Sequence, residues 1–225
     1  MPDSPTHQKS SSLRFRRKRD AIMQGAAEQF LKHGYLSSSV DNIAAAAGVS
    51  KQTVYKHFGD KETLFTEFVV DITKRSGKPY HDAVADLRSA GNSAEALRAL
   101  ARTLIGTVLE PTVLRLRRLI ISEVERFPKL GQYYFDEGPG RGIEALAELF
   151  LEYREKGLLH FDDARNAAAH FTWLVISSPL NMVMLLGEHG RPSSEEIELV
   201  IDDAIRIFLA AHGTKTLLRG YASGR

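Results

Sequence analysis

The run Lys51-Gln52-Thr53-Val54-Tyr55-Lys56-His57-Phe58 sets five polar side chains around Val54 and Phe58. At helical spacing those two apolar residues, four apart, share one side and pack inward. Lys51, Gln52, Thr53, Lys56 and His57 are then left to face outward. Glutamine and lysine bond base edges in a duplex groove, and a threonine methyl touches a thymine methyl. Tyr55 can bond a phosphate oxygen. Lys61 adds a cation in the first turn of the following helix. Upstream, Arg14, Arg16, Arg17, Lys18 and Arg19 form a cationic run that can follow a phosphate backbone or enter a minor groove. Each feature also has a plainer reading: a solvated helix face, an aromatic whose hydroxyl reaches the surface, a solubilising patch.

The residues around this run are those that would position it. Ser39 can cap a short helix whose inner positions are Val40, Ile43, Ala44 and Ala47. Gly48 stands where a helix end needs a left-handed residue. Val49 can tuck inward, Ser50 can cap the next helix, and Asp60 the one after. The result is two short helices joined by a tight glycine turn, and the alanines Ala44 to Ala47 let them approach closely. Charge follows the same division. Residues 1–61 carry ten Lys/Arg against five Asp/Glu, and the remainder twenty against twenty-three. A basic head on a mildly acidic body suits a polyanionic partner.

The whole chain has 225 residues, 43% hydrophobic and 26% charged, with no cysteine. That composition is globular, and disulfides, thiolate metal sites and a cysteine nucleophile are excluded. The N-terminus lacks the apolar core of a signal peptide, and residues 1–12 read as a polar, mobile arm. Apolar residues recur at helical spacing throughout: Ile22, Ala26 and Phe30; Leu64, Phe65, Phe68, Val69 and Ile72; Leu97, Leu100, Ala101, Leu104 and Val108; Ile143, Leu146, Ala147 and Phe150; Ile197, Val200, Ile201, Ala204, Ile205 and Phe208. Breaks are expected at Gly34, Ser76 to Pro79, Gly91 to Ser93, Gly138 to Gly142 and Gly190 to Ser193. Ser193 or Ser194 should cap the last long helix, with Glu196 close behind. We expect an all-α protein of about nine helices without a sheet, divided into 1–62 (arm and helix-turn-helix) and 63–225 (a larger helical domain).

Asn166 to Gly187 holds no charged residue and is long enough to cross a bilayer. Its His170, Thr172, Ser177, Ser178, Pro179 and Asn181 favour a buried helix of a bundle, kinked at Pro179. His170, Trp173, Ser177, Asn181 and Met184 share one face. This face is the wall of a ligand pocket, or a polar seam between two copies, or carries a satisfied core histidine. The 163–187 helix is apolar on nearly all sides, and the last helix carries Leu199 and Ile207 off its main stripe. A monomer would expose much of this surface, and a two-fold dimer would bury it. Enzyme signatures are missing: no Glu-x-x-His pair, no His-Glu-x-x-His, no Gly-x-Ser-x-Gly and no phosphate-cradling glycine loop. No metal or cofactor is expected. An architectural DNA binder without a ligand, or less readily an all-helical enzyme, is the alternative to a sensor, which the length of the body favours.

Val40-Asp41-Asn42-Ile43-Ala44, Ala47-Gly48-Val49-Ser50, Thr53 to Phe58 and Lys61-Glu62-Thr63-Leu64 closely resemble the signature of the TetR family of bacterial repressors, over about residues 17–65. Asn42 departs from the residue many members carry there, on an exposed face. Ile121 to Leu130, followed by Gly138-Pro139, resembles the AefR-like class of C-terminal domains in that family. The resemblance implies a cytoplasmic, all-helical homodimer, joined through its last two long helices, that binds a palindromic operator. It implies a small, largely apolar effector that alters the separation of the reading heads and releases DNA. Arg16, Arg17, Arg19, Ser39, Lys51, Gln52, Thr53, Tyr55, Lys56, His57 and Lys61 are the expected DNA contacts. Phe68, Ile105, Leu119, Tyr134, Ile143, Leu146, Phe171, Trp173 and Ser177 are the expected effector contacts.

Overall fold

A computed structural model describes residues 5–89, 94–215 and 217. Among them are ten α-helices and no strand: α1 (Pro5–Ser37), α2 (Val40–Ala46), α3 (Lys51–Phe58), α4 (Lys61–Ser89), α5 (Ala94–Val108), α6 (Pro111–Glu123), α7 (Pro128–Phe135), α8 (Arg141–Glu155), α9 (Ala164–Leu186) and α10 (Ser194–His212). The all-α expectation holds. The break expected at Gly91 to Ser93 lies outside the described residues.

Several boundaries fall where local chemistry puts them. Gly34, at φ 76°, bends the chain inside α1, and the Ser38 hydroxyl donates to its carbonyl at 2.7 Å. Ser193 caps α10 in a reciprocal capping box with Glu196. Asp163 caps α9, accepting from the Asn166 amide at 2.7 Å. Other signals were weaker than their residues suggest. Helix α1 already begins at Pro5, a residue suited to a first turn. Helix α4 runs on through Pro79. The Gly138-Pro139 break is a single π-helical turn, Asp136–Gly140, which leads directly into α8. One wide turn accommodates the proline's missing N–H without ending the helical path.

The chain forms two compact units. The first takes residues 1–72 and 115–131, the second 73–114 and 132–225. The first unit thus runs past the 62/63 division into α4, and it also gathers in most of α6 and the α6–α7 turn. Its core is aromatic. Phe30 meets Phe65 at 5.0 Å and Phe68 at 5.4 Å, and Phe127, from the distant segment, meets Tyr35 at 4.8 Å and Phe65 at 5.5 Å.

The second unit centres on α8, α9 and α10. Phe150, Phe171 and Phe208 are fully buried and meet at 5.2 to 5.9 Å. Helix α9 is long and apolar enough to cross a membrane, yet Phe171, Val175 and Val183 are buried in this core. Arg102 of α5 grips Glu198 of α10 through two hydrogen bonds of 2.7 and 2.8 Å, and Arg98 holds Asp202 at 2.8 Å.

Candidate nucleic-acid interface

The two short helices of the head are fixed at each end by capping side chains. Ser39 accepts from the Asn42 amide at 3.0 Å, and Ser50 accepts from the Thr53 amide at 3.2 Å. Gly48 adopts φ 63°, a conformation that suits glycine at a helix end. Asp60 accepts from the Thr63 amide at 2.7 Å, and this bond holds its carboxyl below the usual carboxylate range. A second close approach, between α1 and α2, is set by a glycine. A Cβ on Gly25 of α1 would stand 2.9 Å from the Ile43 carbonyl oxygen and 3.1 Å from the Ala47 nitrogen, while Ala45 and Ala46 are exposed. Backbone at that distance cannot rotate away as a side chain can. Gly25→Ala is expected to cost about 1–3 kcal/mol, read as a lower thermal midpoint of the head. A midpoint equal to wild type would show that α1 and α2 separate freely.

On α3, Val54 and Phe58 are buried, as expected, while Lys51, Gln52, Tyr55 and Lys56 are exposed. Thr53 is half-buried, and its hydroxyl shares a hydrogen bond with Ser50 at 2.8 Å. Lys51 pairs with Asp41 at 2.9 Å, in the open where such pairs exchange readily. His57 is half-buried, and its ring lies 4.1 Å from that of Phe15. Arg16 and Arg17 are exposed on α1. The structure therefore gathers Gln52, Tyr55 and Lys56 on the outer surface of one helix.

Three more expected contacts have internal partners. Arg19 pairs with Glu67 of α4, and its guanidinium lies 4.6 Å from the centre of the Phe58 ring. Lys61 is half-buried, with its ammonium 4.3 Å from the centre of the Tyr35 ring and donating to the Leu36 carbonyl at 3.4 Å. Burial, then the Arg126 charge, lowers its pKa. Ser39 is spent on capping. Sequence reasoning missed Phe15, Glu67 and Gly25, whose partners lie far along the chain. Only the glycine carried a local signal, as a small residue within an apolar stripe.

Burial, then the charges of Arg19, Lys18 and Lys56, holds the His57 pKa below the ordinary histidine value. The unfolded chain therefore takes up this proton first as pH falls. The resulting stability is present above the unfolded value of about 6.5 and is lost as pH falls from there through the lower folded value. His57→Phe is expected to lose less thermal stability than wild type between pH 7 and 5.5. Parallel profiles would show that His57 titrates as it does in the unfolded chain.

The nine expected effector contacts are divided between the two units. Ile105, Ile143, Leu146 and Phe171 lie in the core of the second unit. Phe68 and Leu119 are buried residues of the first unit. Tyr134 is half-buried, and Trp173, at 44% exposure, and Ser177 face outward from α9. The face shared by His170, Trp173, Ser177 and Asn181 is thus open surface. A cleft of about 670 Å³ in the second unit is lined by charged groups such as Lys74, Lys78, His81, Glu137 and Arg141.

A capped helix carrying Gln52, Tyr55 and Lys56 outward, set on a second helix by a left-handed glycine, defines a helix-turn-helix reading head. The profile of the "Bacterial regulatory proteins, tetR family" matches residues 22–68, and that of the "AefR-like transcriptional repressor, C-terminal domain" matches 95–214. A solved TetR-family transcriptional regulator from Mesorhizobium loti is 36% identical over 89% of this chain and 99% of that one, with a TM-score of 0.84. The flavonoid-responsive regulator FrrA is 31% identical over 88% of this chain and 98% of its own, with a TM-score of 0.70. The transcriptional repressor AcnR of Corynebacterium glutamicum is 43% identical over 47 residues, which are 21% of this chain and a quarter of that protein. The chain belongs to the TetR family of bacterial transcriptional regulators.

Proposed function

We propose that this protein is a ligand-responsive repressor that binds a palindromic operator as a dimer. The observation that carries the DNA reading is the outer surface of α3, where Gln52, Tyr55 and Lys56 are exposed over buried Val54 and Phe58. A two-fold pair would set two such helices about 34–36 Å apart, one turn of DNA. Arg16 and Arg17 supply phosphate contacts beside the groove, and Lys61, Thr53, His57, Lys51, Ser39 and Arg19 border it. Gel-shift titration against the region upstream of its own gene tests the reading. A sequence-selective shift at moderate salt is expected, and its absence overturns the proposal.

Roles within the surface separate by salt and sequence. Gln52→Ala should cost about 1–3 kcal/mol on the preferred site and far less on random DNA. Lys56→Ala should weaken all duplexes alike and reduce the salt slope by about 0.9. If Lys56→Ala shifts base preference and leaves the slope alone, the two roles are misassigned.

Dimerisation through α9 and α10 is supported by their outer faces, where Trp173, Met182, Leu185, Leu186, Leu199 and Ile207 are exposed. Isolated exposed hydrophobes are ordinary, but six on two neighbouring helices form a patch that calls for a partner. For the effector we retain Ile105, Ile143, Leu146 and Phe171, with Tyr134 as a polar neighbour, and assign Trp173 and Ser177 to the dimer face. A largely apolar aromatic molecule suits these residues, and the flavonoid response of FrrA supports the same ligand class. The reading places the protein in the cytoplasm with DNA.

A further inference from the structure

Three histidines that play no part in the DNA reading meet where the α8–α9 turn faces the end of α10. The backbone there is pinned. The His160 amide donates to the His212 carbonyl at 2.8 Å, the Thr214 amide to the Leu158 carbonyl at 3.0 Å, and Leu159 and Gly213 form an isolated antiparallel bridge. His212 Nδ1 lies 3.2 Å from the His160 carbonyl oxygen. A carbonyl only accepts, so this contact places the proton on Nδ1 and leaves the Nε2 lone pair free. That lone pair faces His170 Nδ1 at 3.4 Å.

The separation of 3.4 Å fits two bonding patterns, a hydrogen bond from an N–H donor and a shared metal ion. It is long for a hydrogen bond from an N–H donor. Two imidazole nitrogens on one tetrahedral zinc, each at about 2.0–2.1 Å, stand roughly 3.3–3.4 Å apart. The ring planes lie within 24° of each other, and their centroids are 5.6 Å apart. The nitrogens are therefore much closer than the ring centres, so the rings meet through their nitrogen edges rather than face to face. A metal-bound histidine ordinarily donates its other N–H to a carbonyl or carboxylate, and His212 already does so. His170 is exposed and is free to present its Nδ1 lone pair, with the proton on Nε2.

We propose that His170 and His212 form a two-imidazole site for a borderline divalent transition ion, with zinc as its representative. Imidazole suits zinc, copper and nickel, whereas magnesium and calcium require oxygen donors. Among the described residues no group of three or more His, Cys, Asp or Glu side chains stands ready for a metal, so water takes the open positions. The ion would clamp the first half of α9 to the last turn of α10. The pinned backbone makes the pair pre-organised rather than assembled on binding.

Untagged full-length protein titrated with zinc chloride by calorimetry, alongside thermal melts, tests the site. Wild type should bind zinc saturably and melt at a higher temperature in its presence. Magnesium should do neither. His170→Ala, at an exposed position, should weaken zinc binding at least about tenfold and abolish the thermal shift. His160→Ala should keep both, because only the backbone carbonyl of that residue takes part. Absence of zinc binding by wild type overturns the site, as does a His170→Ala protein that binds zinc like wild type. A loss in His160→Ala as large as that in His170→Ala overturns the assignment of ligands.

Discussion

Leu185→Glu combined with Leu199→Glu is expected to make the protein a monomer and to lower its affinity for a two-half operator by about 10²- to 10⁴-fold, the gain that linking two reading heads provides. Leu185 is 81% exposed and Leu199 63% exposed, so neither charge disturbs the core of its own subunit. Each would be driven into an apolar contact on association, where an unpaired carboxylate is strongly disfavoured. Binding to a single half-site should barely change, because α3 is untouched. Sedimentation at micromolar concentration, with gel shifts on whole and half operators, separates these outcomes. A double variant that remains dimeric and keeps full operator affinity places the interface elsewhere.

Phe208→Ala is expected to be the most damaging single truncation in the second unit, at about 3–5 kcal/mol. Phe208 is fully buried and meets Phe150 at 5.2 Å, Phe171 at 5.3 Å and His212 at 5.0 Å. Three helices share that ring, so no one of them can relax into the void without losing its other contacts. A fall of roughly 10 °C in thermal midpoint corresponds to that cost in a protein of this size. A loss below about 1 kcal/mol would mean that the three rings repack around the gap.

The head was legible because its determinants are local. Ser39, Gly48, Ser50 and Asp60 each act within three residues, and the apolar pair Val54 and Phe58 fixes which face of α3 is turned outward. The all-helical class followed for the same reason, from stripes most of whose residues are buried. Helix α9 was harder to read. It is apolar on nearly all sides, so periodicity could not say which face meets the core, and Trp173 and Ser177 were placed with an effector while the structure turns them to the surface. Arg19 looked like one cation of a cluster, but its pairing with Glu67 spans 48 residues. Glycine and proline punctuation overstated the breaks at Pro79 and Pro139. A helix held by packing on both sides tolerates the loss of one backbone bond, or absorbs it in a wider turn.

Phe127 packs against Tyr35 and Phe65, and the first unit takes residues 115–131 into itself. Transplanting the first seventy or so residues onto a foreign body would therefore leave an aromatic socket unfilled. A working chimera has to carry both stretches, and fusions that swap only the leading portion between relatives should express poorly whatever operator they were meant to read.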